Sequence, residues 1–160
     1  MLAGLLRLTM QTADGVRQRY WRWRGRPRLA TAALAYTPDG ELLFVRQTYT
    51  DGWCLPGGGR RATEEPIAAA LRELREEIGL FGWGETQWRT TIHRPFSGVP
   101  VATDVVIVSD VTFAFRRNLE VEAVSSFAPA ALPVDLNPWA ITVLTVVGLL
   151  HPVEKAAFLP

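Results

Sequence analysis

A glycine run, Gly57, Gly58 and Gly59, is followed at fixed offsets by Glu64, Arg72, Glu73, Glu76 and Glu77. On a helix of about 3.6 residues per turn, Glu73, Glu76 and Glu77 gather within about 100° of one face, with Arg72 and Arg75 pointing to the other flank. Carboxylates three and four positions apart repel one another, the more so where water is excluded. A divalent cation reverses that sign, because Mg²⁺ takes oxygen ligands and bridges carboxylates to substrate phosphates. Glycines let the chain turn sharply and offer peptide groups unobstructed by side chains. The pattern predicts a combined metal and phosphate site. Its rival is a solvated helix face whose glutamates pair with Arg72 and Arg75.

These side chains need a helix to hold them. Ile67, Leu71, Leu74 and Ile78 recur at i, i+4, i+7 and i+11, which predicts a helix over residues 66–78 with one buried stripe. Gly79 suits the left-handed position that ends it. The spacing continues without a gap: Gly58, five residues, Glu64, seven residues, Arg72-Glu73-Leu74, one residue, Glu76-Glu77, one residue, Gly79-Leu80.

In these positions the chain resembles the Nudix hydrolase family, whose box residues 58–80 reproduce. Where many members carry Gly-Glu, this chain has Thr63-Glu64, which keeps the box carboxylate. The resemblance implies an α/β (α+β) fold, an α/β/α sandwich around a mixed central β-sheet. It implies hydrolysis of a pyrophosphate bond in a nucleoside diphosphate linked to another moiety, of the ADP-ribose or nucleotide-sugar type, with Mg²⁺ or alternatively Mn²⁺. Glu76 and Glu77 would be metal ligands, Glu73 a ligand or the general base, and the Gly58 carbonyl a further ligand. Arg72 and Glu64 would pair behind them to hold helix and loop in register. Many members add a glutamate from outside the box, and Glu120 or Glu122 could serve. Two other functions fit the same box: a nucleoside triphosphate pyrophosphohydrolase that sanitises damaged nucleotides, and a non-catalytic binding or regulatory module associated with RNA. Retention of Glu64, Glu73, Glu76 and Glu77 favours catalysis over the module.

The remainder of the chain sets the context. Its 160 residues suffice for one domain with a core of its own, and 48% hydrophobic with 21% charged residues is a globular composition. A net charge of +1 gives no global pull toward nucleic acid or membrane. The single cysteine, Cys54, excludes an internal disulfide and reads as a small buried hydrophobe, in keeping with a cytoplasmic protein. Residues 1–10 lack a cleavage site, and residues 141–150 are too short to cross a bilayer, so no membrane association is expected. Residues 1–28 form a basic, aromatic extension on the domain of residues 29–160, with Arg17, Arg19, Arg22 and Arg24 around Tyr20, Trp21 and Trp23. That extension reads first as a cap, with nucleic acid as the less favoured alternative. The expected partner is a small-molecule nucleotide, and Trp21 and Trp83 would suit a homodimer interface.

Strand patterns occupy the rest. Residues 30–36 and 41–47 read as a β-hairpin around Thr37-Pro38-Asp39-Gly40, and residues 53–55 as a short strand feeding the glycine loop. Residues 85–93 and 101–108 follow as strands separated by Pro95 to Pro100, then 111–115 continuing the sheet, and 123–127. Pro95 also falls where relatives similar to ADP-ribose pyrophosphatases often carry a proline. Asn137-Pro138 predicts the start of a helix over residues 138–150, covering the sheet face opposite the box helix. Arg46 and Arg94 are the arginines placed to meet substrate phosphate alongside Gly57, Gly58 and Gly59, Arg46 having a surface carboxylate as its alternative partner.

Overall fold

The computed structural model describes residues 28–96 and 98–150, so the expectations for residues 1–27, including Trp21, lie outside it. Alternation along the first strand, β1 (Arg28–Ala35), decides the layering. Ala33 and Ala35 pack into a core with Leu71, Leu74 and Ile78 of helix α1 (Pro66–Ile78). Leu34, pointing the other way, joins a second core with Ala140, Val143 and Leu144 of helix α2 (Pro138–Val146). Side chains of period two on a strand make two opposite cores, one under each helix. The predicted sandwich and the stripe of the box helix are both observed.

The central sheet has the order β3-β1-β6-β5, with β3 at Gly57–Gly59, β5 at Thr86–Phe96 and β6 at Val99–Val108. β1 runs parallel to β6, and the other pairings are antiparallel, so the sheet is mixed. Two short ladders complete it: β2 (Leu42–Gln47) with β8 (Val121–Phe127), and β4 (Leu80–Gly82) with β7 (Thr112–Phe113).

Several connections differ from the sequence expectation. The turn at residues 37–40 forms, with Gly40 at φ 78° and its N–H on the Thr37 carbonyl at 2.9 Å. The strands it joins do not make a hairpin, touching only at the Tyr36–Leu42 bridge. Both edges of β1 are taken, by β3 and β6, which leaves β2 to pair with β8. The glycine run, expected as a loop, is itself strand β3, while the neighbouring Trp53 and Cys54 make only isolated bridges. β5 continues through Pro95 to Phe96, with Pro95 opposite Pro100. Proline is tolerated there because β5 is the sheet edge and β6 joins β1 only from Val101 onward. β7 pairs with β4 rather than prolonging the central sheet.

Both helices have legible ends. Gly79 closes α1 in the left-handed region at φ 73°, returning its N–H to the Arg75 carbonyl. Asn137 caps α2 by accepting from Trp139 N–H at 2.9 Å. That helix stops at Val146 rather than running to residue 150, because Gly148 turns at φ 81° and Leu149 N–H bonds back to the Leu144 carbonyl. Among the described residues no helix is long and apolar enough to cross a membrane.

Leu74 is fully buried at the centre of the α1 core. Leu74→Ala is expected to lower the unfolding free energy by about 2–5 kcal/mol, measured as a shift of the urea midpoint.

Candidate functional site

The site is assembled where α1 crosses β3. Pro66 begins the helix after Glu65, which gives no side-chain cap. Instead the preceding loop is tied through Arg72. Its Nε donates to Glu64 Oε1 at 2.8 Å and its Nη2 to Glu64 Oε2 at 3.0 Å, a two-point fork. The same Nη2 reaches the Gly59 carbonyl at 2.8 Å, and Nη1 reaches Glu73 Oε1 at 2.6 Å. Arg72 thus turns toward the glutamates and away from the outer flank expected for it, because Glu64 and Glu73 supply the charge it lacks partners for elsewhere. Its hydrogen bond holds the Glu64 carboxyl down to about 2, and the same contacts raise the guanidinium's own value. The predicted Arg72–Glu64 pair is present.

The glutamates differ in environment. Glu73 and Glu77 are buried, whereas the Glu76 side chain is 60% exposed and lies 3.5 Å from Arg72 Nη1. Glu77 Oε2 accepts the Gly57 N–H at 2.8 Å, and Gln47 Nε2 stands 3.4 Å from its other oxygen. Burial nonetheless pushes the Glu77 carboxyl up to about 8, helped by the negative charges of Glu73 and Glu120 and opposed by those two hydrogen bonds. Burial likewise raises Glu73, against the pull of Arg72 and with the push of Glu76 and Glu120. A Cβ on Gly58 would stand 2.6 Å from Glu73 Oε2, so only glycine admits that carboxylate against the strand. Gly57, at φ 147°, could carry no Cβ either, since one would meet the Thr31 carbonyl at 2.2 Å, whereas Gly59 has open space.

Of the two outer candidates, Glu120 is the one whose charge reaches Glu73 and Glu77. Its loop is pinned by Asn118, which accepts from the Glu120 and Val121 N–H groups at 2.9 and 2.8 Å and donates to the Glu77 carbonyl at 3.2 Å. Thr48 N–H also bonds the Glu120 carbonyl at 2.9 Å. Glu122 lies exposed on β8 with no such contact.

The acidic side chains of this region, Glu73, Glu76, Glu77 and Glu120, offer oxygen donors of the kind suited to Mg²⁺ or Mn²⁺. Burial first, and then the negative charges of their acidic neighbours, raise the Glu73 and Glu77 carboxyls, and a cation would neutralise that charge, so the residues fit such an ion. As placed, with Glu73 turned to Arg72 and Glu77 to Gly57, no group of three or more acidic, histidine or cysteine side chains among the described residues is already drawn together around one point.

Beyond β3 lies a cavity of about 440 Å³ lined by the three glycines, Arg94 and Trp139 among others. The Arg94 guanidinium stacks on the Trp139 ring at 3.8 Å from its centroid. Arg46 is not among the lining residues; it bonds Asp135 and lies 4.7 Å over the Trp53 ring, the surface-carboxylate alternative. Cys54 is buried, and burial followed by the Glu77 charge pushes its thiol up to about 11, which leaves it unreactive. Trp83 is 39% exposed beneath Arg75 at 4.9 Å.

Sequence reasoning missed Gln47, Asn118 and Trp139. Gln47 and Trp139 meet the site across long sequence separations and carry no local signal. Asn118 did carry one: asparagine two residues before Glu120 fits the turn in which its side chain accepts from the backbone ahead.

A family model described as NUDIX domain matches residues 26–144. An RNA pyrophosphohydrolase of Halorhodospira halophila is 50% identical over 42 residues, which are 26% of this chain and 23% of that protein, so under a quarter of that relative's length is spanned. A MutT NUDIX hydrolase from Burkholderia pseudomallei superposes with a TM-score of 0.63 at 23% identity, covering 74% of this chain and 96% of that one. A bifunctional NMN adenylyltransferase/ADP ribose pyrophosphatase from Francisella tularensis, complexed with AMP and Mn ion, gives 0.63 at 15% identity over 88% of this chain and 47% of that one. At these identities the two structures share a fold with this chain.

In metal-free buffer, stability is expected to fall as pH rises from 4.5, the ordinary glutamate value, to about 8. Over that window the folded state keeps a proton on Glu77 that the unfolded chain has lost, so rising pH favours unfolding. Urea midpoints across the window check this. Glu77→Gln should flatten the slope, and equal slopes in both proteins would assign the titration to another group.

Proposed function

The chain belongs to the NUDIX family, and from that premise we propose that it is a pyrophosphohydrolase acting on a nucleoside diphosphate linked to another moiety. The observation that carries the reading is the pair of buried, mutually repelling carboxylates, Glu73 and Glu77, set against a strand of glycines. Such a cluster opposes folding unless positive charge joins it, and a substrate pyrophosphate on a divalent cation provides a reason to keep it.

Glu76 and Glu77 would hold the cation, with Glu73 as a further ligand or as the base that takes the proton from the attacking water, and the Gly58 carbonyl and Glu120 would complete the set. The cation, when bound, supplies the positive charge that neutralises the phosphate oxygens. Mn²⁺ is the alternative to Mg²⁺. Arg72 acts behind these groups: its fork on Glu64 and its bond to the Gly59 carbonyl hold helix and strand together, and its Nη1 orients Glu73. Catalysis in this class depends on position and electrostatics more than on covalent chemistry, which is what a rigid helix beside a bare strand supplies. Arg94 and the glycine backbone contact the substrate. ADP-ribose and nucleotide sugars are the first substrates to try. Nucleoside triphosphates and 5′-triphosphorylated RNA follow, the latter because of the Halorhodospira relative's name.

Phosphate release from that panel with Mg²⁺ or Mn²⁺ and a coupling phosphatase tests the reading. Glu76→Gln and Glu77→Gln are each expected to lower the metal-dependent rate by at least about 10²-fold, while thermal melts stay cooperative. Rates within tenfold of wild type in both variants would place the chemistry elsewhere.

A further inference from the structure

The cavity beyond the glycine strand is opposite in charge to the carboxylate cluster. No aspartate or glutamate is among the described residues that line it, whereas Arg28 and Arg94 both are. Register places the two arginines abreast, since Val101 of β6 pairs with Arg28 on one side and with Arg94 on the other. They share a face of the sheet, separated by two strand spacings, about 10 Å.

Arg94 is the informative one. Burial lowers its guanidinium from the ordinary value. Among the described residues the guanidinium is held by rings alone, with Trp139 at 3.8 Å and Phe96 at 5.8 Å, and makes no ion pair or side-chain hydrogen bond. Stacking fixes the plane of a guanidinium but uses none of its five N–H donors. The other arginines beside the carboxylate site show the contrast: Arg72 is filled by Glu64, Glu73 and Gly59, and Arg60 pairs with Asp104 at 2.8 Å. A half-buried cation whose donors no described residue fills, in a cavity whose described lining holds no carboxylate, is poised for an anion that arrives with the ligand.

That anion need not be the pyrophosphate being cut. Gly58, against which Glu73 lies, pairs with Thr31, and Arg28 stands three residues further along β1, about 10 Å away. We propose that Arg94, stacked on Trp139 and flanked by Arg28, binds a second phosphate group carried by the substrate's nucleoside portion. The preferred substrates are then nucleotides phosphorylated on the ribose, or linked through it to a further nucleotide, rather than ones whose only charge is the scissile pyrophosphate. This rests on the pyrophosphohydrolase reading for its substrate, though the binding it asserts can be measured without turnover.

Isothermal titration in EDTA compares AMP with adenosine 2′,5′-bisphosphate, adenosine 3′,5′-bisphosphate and the 5′-phosphorylated dinucleotide pApA, together with the guanosine series. At least one doubly phosphorylated probe should bind about tenfold more tightly than its monophosphate. Which probe gains identifies the source of the group, a ribose phosphomonoester or an internucleotide diester. In Arg94→Met the preference should shrink to within about twofold, while Arg94→Lys, keeping charge without the fork, should retain part of it. Equal affinities in the wild-type protein, an unchanged preference in Arg94→Met, or no binding of any probe at millimolar concentration would overturn the proposal. Preference without hydrolysis of any panel member would leave this binding site standing and remove the enzymatic reading. Hydrolysis with no preference would do the reverse.

Discussion

The Arg72 guanidinium is the contact on which the arrangement of the site depends. It joins three pieces of chain: the loop before α1 through Glu64, the strand of glycines through the Gly59 carbonyl, and the helix's own Glu73. A planar fork can serve several acceptors at once only if all of them lie near its plane, so satisfying Arg72 fixes the others. Part of the cost of placing Glu73 where water is scarce is offset by the same cation. Glu77, deeper and without an arginine among the described residues, is offset in its burial by the Gly57 N–H and Gln47, and its carboxyl is correspondingly displaced.

Packing explains why those pieces can be held rigidly. Strands β1, β2 and β6 each contribute to both cores, with Leu43 and Val45 of β2 in the core under α1 and Leu42 and Phe44 in that under α2. The box helix is therefore clamped by Leu71, Leu74 and Ile78 along one face while its acidic face remains at the edge of β3. Glycine in that strand has a further consequence. Gly57 has no room for a Cβ against the Thr31 backbone, and the absence of one at Gly58 lets the Glu73 carboxylate lie against the strand.

Across β3 the polarity changes sign. Carboxylates from α1 and the Glu120 loop lie within reach of one another's charge on one side, and a cavity bearing Arg28 and Arg94 opens on the other. An extended anion with a metal at one end would meet complementary charge along its length. Separation by an uncharged strand keeps Arg94 from collapsing onto the glutamates, which would neutralise both.

By itself the sequence determined the box helix, its buried stripe, its Gly79 terminus, the Arg72–Glu64 pair and the Asn137 cap. The helix, its stripe and both caps are set by contacts within a turn or two, so local periodicity suffices to reveal them, whereas the Arg72–Glu64 pair was legible only through the resemblance to the Nudix box. It did not determine which strands pair. The Thr37–Gly40 turn looked like a hairpin, yet competition for the edges of β1 sent β2 to β8 and turned the glycine run into a strand. Nor could spacing show that Arg72 folds back onto its own helix's glutamate, that Arg46 belongs to Asp135, or that Trp139 lies under Arg94. Each of those is a choice among partners made by tertiary proximity, and a charge or ring has no preference for one distant partner over another until the fold brings one near.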